Sequence, residues 1–127
     1  MRPIAVGETL RRLTAKVLCA AVKDQVLSFF FPLQIGVAQP LGTEVGLETA
    51  RQWCHRHRGA RNTVFVKIDF ANAFNCVDRQ AFLTQCRHIF PGLSKWAEWC
   101  YTSPIHLYFG SHKISSQRGV QQGDPLG

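Results

Sequence analysis

An α+β fold is predicted for this 127-residue chain by three patterns: stretches whose apolar residues recur at helical spacing, one β-branched and aromatic run, and two short runs around a glycine turn. A hydrophobic share of 46% against 18% charged residues places it with folded globular chains rather than disordered or collagen-like ones. No internal repeat, low-complexity tract or linker interrupts it, so one compact unit is expected.

From Thr9 to about Phe30, Leu10, Leu13, Val17, Ala20, Ala21, Val26 and Leu27 follow the helical period, while Arg11, Arg12, Lys16 and Lys23 take other positions. This predicts a basic amphipathic helix. Phe29, Phe30, Phe31 and Pro32 end it, and the glycines and proline between Gln34 and Gly46 read as a loop. A second helix is expected from Thr43 or Glu44 to His57, burying Val45, Leu47, Ala50 and Trp53 or Cys54. Its end carries Arg51, His55, Arg56, His57 and Arg58, which suits the negative end of a helix dipole.

Thr63, Val64, Phe65, Val66, Lys67, Ile68 and Asp69 form the β-branched run, bounded upstream by Gly59 and Asn62, and predict a strand buried on at least one face. After a turn at Asn72 to Asn75, Val77 to Phe90 reads as a helix with Phe82, Leu83, Cys86, Ile89 and Phe90 inward. Pro91 and Gly92 break it, and Leu93, Trp96, Ala97, Cys100 and Tyr101 continue as another short helix. Ile105 to Phe109 and Lys113 to Arg118 predict a hairpin with Gly110 in the turn. Three glycines and a proline in the last nine residues predict a loop of unusual backbone.

Fifteen Lys and Arg against eight Asp and Glu give a net charge of +7 and a pI near 9.6. That balance favours polyanionic partners such as nucleic acid, although a basic surface also serves solubility. Five scattered cysteines, without a CxxC pair or a leader, read as reduced and mostly buried thiols of an intracellular chain, nuclear or cytoplasmic and not secreted. Cys54, His55 and His57 lack a second ligand pair at zinc spacing, so no zinc site is expected. The longest apolar stretch, near Leu27 to Leu33, falls far short of the roughly 20 residues that span a bilayer, so no membrane partner is expected.

Asp69 closes a hydrophobic strand, where a carboxylate is costly unless a cation, a partner or solvent satisfies it. A strand-end or helix-capping aspartate is the plain alternative. The string from Phe65 to Asp78, with Asp69, Phe70, Ala73, Phe74, Asn75 and Val77, resembles the first carboxylate motif of the non-LTR (LINE-like) retrotransposon reverse transcriptases, Asp-Phe-x-x-Ala-Phe-Asp-x-Val. Gly119, Val120, Gln122, Gly123, Pro125 and Leu126 resemble that family's Gly-Val-x-Gln-Gly-x-Pro-Leu motif. Arg2, Pro3 and Ile4 are similar to its Arg-Pro-Ile opening, and Gln34 to Gly42 to its looser Gln-x-Gly block.

The resemblance covers the chain in family order. It implies a partial right-hand polymerase, fingers with an incomplete palm, divided at about 1–62 fingers-like, 63–92 palm, 93–117 fingers-like or connecting and 118–127 palm. It also implies RNA-directed DNA polymerase chemistry on an RNA template, a DNA primer and dNTP, assisted by two Mg²⁺ ions, or Mn²⁺. By the same resemblance Asp69 ligates both ions and the backbone carbonyl of Phe70 ligates one. Phe74 gates against a 2′-hydroxyl, Gln122 and Gly123 border the nucleotide, and Arg2 touches the triphosphate. Arg11, Arg12 and Lys16 face the template backbone, with a solvated helix face as the alternative for each.

Asn75 departs from the family's aspartate, at a position that is not a metal ligand there. The aromatic-x-Asp-Asp hairpin of the family would lie beyond Gly127, as would the C-terminal palm and the thumb. The chain is therefore expected to be catalytically incomplete alone, with a non-catalytic nucleic-acid-binding remnant as the alternative. Viral RNA polymerases place a second aspartate shortly after the first and a smaller residue at the Phe74 position, and group II intron enzymes share the opening and Gln-Gly strings. The Asp-Phe-x-x-Ala-Phe spelling fits the non-LTR group better.

Overall fold

The computed structural model describes residues 7–126, so Arg2 and the opening string around it lie outside the described residues. These residues form a mixed α+β chain of six helices and one two-stranded sheet: α1 Thr9–Ala21, α2 Lys23–Phe30, α3 Gly42–Arg56, α4 Ala73–Cys76, α5 Arg79–Ile89, α6 Pro91–Tyr101, β1 Ile105–Phe109 and β2 His112–Ser116. Where one compact unit is expected, there are two, residues 7–22 with 70–126 and Lys23–Asp69. None of the described helices is long and apolar enough to cross a membrane.

The first unit holds the core, and its helices α5 and α6 follow the sequence period. On α5, Leu83 and Cys86 are buried and Phe82 and Phe90 pack beside them; on α6, Leu93, Ala97, Cys100 and Tyr101 are buried, and Val120 joins from the C-terminal loop. Each helix starts on a local signal. The Asp78 carboxylate accepts from the Ala81 N–H at 2.8 Å, so α5 starts at Arg79 rather than Val77. Pro91 opens α6, where its missing N–H has no helical acceptor to lose.

The expected helix from Thr9 to Phe30 breaks at Val22 into α1 and α2, one in each unit. Its inward face also differs from expectation. Ala15 is buried and Arg11, Leu18, Cys19 and Val22 are half-buried, whereas Leu10, Leu13 and Val17 are exposed. Both sets have helical spacing, and what decides between them is α6, on which α1 packs: the small Ala15 admits close approach, and Asp124 beside it supplies a counter-charge for Arg11.

β1 and β2 pair antiparallel, with Ile105 opposite Ser116 and Phe109 opposite His112, across the two-residue turn Gly110–Ser111. Gly110 takes φ +58° at the first central position, which a type II′ turn reserves for glycine. The second strand stops at Ser116, short of Arg118. Arg79 accounts for the stop, because its guanidinium claims the Ser116 carbonyl at 3.0 Å and the Gly119 carbonyl at 2.7 Å.

In the second unit only Gly42 is buried among the described residues of its helices. A Cβ there would overlap the carbonyl of Ile35, so glycine is what lets the preceding loop fold against the start of α3. Trp53 stacks on His57 at 4.4 Å between ring centres and leans on Phe65 at 5.6 Å. Ala50 and Trp53 are half-buried as the period predicts, but Val45, Leu47 and Cys54 are exposed.

The expected strand from Thr63 to Asp69 is not formed. A strand needs a ladder, and the only paired strands among the described residues are β1 and β2. Without a partner the run stays irregular and in solvent, with Val64 81% and Ile68 73% exposed. All five cysteines are free: Cys86 and Cys100 are buried and Cys19 half-buried, while Cys54 and Cys76 are exposed rather than buried.

Candidate functional site

The later part of the first string, from Phe74 to Val77, meets the C-terminal string within the first unit. After Asn72, which takes the left-handed conformation at φ +54°, α4 presents Phe74. The Val120 N–H donates to the Phe74 carbonyl at 2.7 Å, and the Gly119 N–H to the Val77 carbonyl at 3.0 Å. Gly119 has φ +72°, and a Cβ would strike the backbone of Asn75, so both its conformation and its surroundings require glycine. The C-terminal loop thus lies on the backbone of the Asp-Phe-x-x-Ala-Phe string, although far from it in sequence.

Four side chains hold that loop. Arg79 donates from Nε to the Gly119 carbonyl, from Nη1 to the Ser116 carbonyl and from Nη2 to Ser116 Oγ at 2.9 Å. Asp124, with its side chain 3% exposed, accepts from Arg11 Nη2 at 2.7 Å and from the Tyr101 hydroxyl at 2.8 Å through Oδ2, and from the Leu126 N–H at 3.0 Å through Oδ1. The Tyr101 ring is fully buried, with the Arg11 and Arg79 guanidinium carbons 5.3 and 5.5 Å from its centre. Gln121 is buried with its N–H 3.4 Å from the Tyr101 oxygen, which leaves Gln122 half-buried and Gly123, at φ +106°, exposed at the apex.

The electrostatics agree with a closed, fixed network. Burial pushes the Tyr101 hydroxyl well above the ordinary phenol range, and its bond to Asp124 adds to the shift. Burial pulls the Arg11 guanidinium down, but the bond to Asp124 and the surrounding charges outweigh it and the net direction is up. Arg79 moves down, chiefly by burial. Burial raises the Cys19, Cys86 and Cys100 thiols above the ordinary thiol range.

Arg11 therefore spends its charge inside the chain rather than on a solvent-facing phosphate site. Lys16 is exposed, and Arg12 is half-buried with no partner for its Nε among the described residues. Asp69 is exposed as the last residue of the second unit, and Phe70 is exposed where the chain returns to the first.

Sequence reasoning overlooked Arg79, Tyr101 and Asp124. Two of them carried a signal. Arg79, Leu83, Cys86 and Phe90 share one helix stripe, as do Leu93, Ala97, Cys100 and Tyr101, so an arginine and a tyrosine hydroxyl on apolar faces need buried partners. Asp124 had none, being one polar residue among several in a loop.

The donor chemistry for divalent ions is of the right type but too sparse. The Asp69 carboxylate and the Phe70 carbonyl are hard oxygens. Asp78 is engaged as a helix cap, and no group of three or more His, Cys, Asp or Glu among the described residues is placed to hold a metal. One carboxylate and one carbonyl do not complete a two-ion site. In comparisons with known proteins, no family model, no curated protein and no solved structure matches this chain.

Proposed function

We propose that this chain is the fingers-and-palm portion of an RNA-directed DNA polymerase of the non-LTR retrotransposon type, with Asp69 as its first catalytic carboxylate. The observation that carries the proposal is the meeting of the two strings: the loop bearing Gln122 and Gly123 is hydrogen-bonded to the backbone of Phe74 and Val77. A nucleotide pocket needs that juxtaposition, with a flat ring for the sugar and an exposed glycine where backbone approaches a ligand. In the proposed assignment Phe74 selects dNTP over NTP, Gln122 and Gly123 line the nucleotide, and Asp69 with the Phe70 carbonyl supplies part of the donor set for Mg²⁺ or Mn²⁺. An RNA template and a DNA primer are the macromolecular partners. Lys16 and Arg12 remain candidates for the template backbone, and Arg2 for the triphosphate.

Titration of a fluorescent dNTP into the purified chain tests the assignment. Saturable binding is expected, with the matching NTP weaker by about tenfold and that preference lost in Phe74→Ala. Binding indifferent to both Phe74 and Gln122 would sink it. Primer extension with Mg²⁺ or Mn²⁺ is expected to fail for this chain alone, because its own donors are too few. The sparse donor set also favours a second reading, a non-catalytic nucleic-acid-binding remnant of a retroelement, whose signature is steeply salt-dependent polynucleotide binding without nucleotide binding.

A further inference from the structure

The hairpin β1–β2 has a role in neither the core nor the candidate site. No helix packs broadly on either strand, and Arg79 ties the hairpin down only at its base, through Ser116. An uncovered two-stranded sheet is marginal by itself, so its two faces are surfaces to be explained.

Alternation sorts the residues cleanly. One face carries Ile105, Leu107, Phe109, Ile114 and His112. The other carries His106 opposite Ser115 and Tyr108 directly opposite Lys113, all exposed, with Tyr108 at 72%. No Asp or Glu stands anywhere between Glu98 and Asp124, a stretch that holds Lys113, Arg118, His106 and His112. An exposed ring beside a cation, on a segment free of carboxylates, matches a partner with negative phosphates and flat, unpaired bases.

We infer that the His106–Tyr108–Lys113 face of the hairpin binds single-stranded nucleic acid, Tyr108 stacking on a base and Lys113 meeting the adjacent phosphate. The site rests on the proposed polynucleotide partner but not on catalysis, and it uses neither Asp69 nor a metal. A duplex keeps its bases stacked internally and offers no free face to Tyr108, so unpaired strands are the preferred ligand.

Fluorescence anisotropy with oligo(dT) and oligo(U) of about 20 nucleotides, against a duplex of equal length, reads the proposal directly. Tyr108→Ala is expected to weaken single-strand binding about tenfold, while Tyr108→Phe, which keeps the ring, stays within about twofold of the parent. Lys113→Gln is expected to lower the slope of log K against log salt by about one. Helical circular dichroism is expected to be unchanged in all three, because the hairpin supports no helix.

Single-strand binding that ignores Tyr108→Ala overturns the assignment of this face and leaves the polynucleotide partner standing. No binding to any oligonucleotide overturns both. Duplex bound as tightly as single strands overturns the stacking role, and nucleic-acid-independent self-association abolished by Tyr108→Ala would give the face to a second copy. The relative affinity for oligo(U) and oligo(dT) distinguishes RNA from DNA as the source of the strand.

Discussion

Residues 7–22 with 70–126 and the segment Lys23–Asp69 are built with similar proportions of apolar residues, yet they use them differently. In the first, α5 and α6 bury Leu83, Cys86, Leu93, Ala97, Cys100 and Tyr101 against one another. In the second, Leu33, Val45, Leu47, Val64 and Ile68 all remain exposed and only the glycine at the start of α3 is buried. The difference shows that hydrophobic content does not make a core. Two amphipathic surfaces must face each other within reach, as α5 and α6 do across the short Phe90 junction, whereas in the second unit α3 meets the apolar run through the contact of the Trp53 and Phe65 rings.

Substitutions can break or sharpen that contrast. Tyr101→Ala should be the most damaging, at about 3–5 kcal/mol by denaturant titration, since it empties a fully buried aromatic site and leaves Asp124 short of a donor. A cost under about 1 kcal/mol would mean that Tyr101 is not central to the first unit. Asp124→Ala is expected to follow at about 2–4 kcal/mol, because Arg11, only 13% exposed, loses its counter-charge. Arg11→Met combined with Asp124→Ala should recover part of that loss, and failure to recover would deny the coupling. Gly119→Ala forces a side chain into both a left-handed backbone and the Asn75 main chain, for about 1–3 kcal/mol.

Tyr101→Phe gives a smaller, pH-dependent effect. A phenol whose folded-state value is raised contributes stability that is complete below its unfolded value and declines as pH rises past it. The parent is therefore expected to lose melting temperature above about pH 10, more steeply than Tyr101→Phe. Equal slopes would contradict the burial of that hydroxyl. Val64→Ser and Leu47→Ser, in the second unit, should change stability by less than about 0.5 kcal/mol. A larger loss would show that this unit buries those residues in solution and would erase the contrast.

The strings around Phe74 and around Gln122 and Gly123 were legible in the sequence as parts of one resemblance. The network that holds the loop was not. Arg11, Arg79, Tyr101 and Asp124 come from α1, α5, α6 and the C-terminal loop, and no short-range pattern ties four such distant positions together.

By itself the sequence determined where α5 and α6 start and the hairpin turn: Asp78 ahead of Arg79, Pro91 at the start of α6 and Gly110 at φ +58° act through neighbours within a few residues. Only the tertiary structure decided which face of α1 turns inward and whether the run from Thr63 to Asp69 becomes a strand. A helix closes its own hydrogen bonds, whereas a ladder, a buried face and a paired charge each need a second surface supplied from elsewhere in the chain.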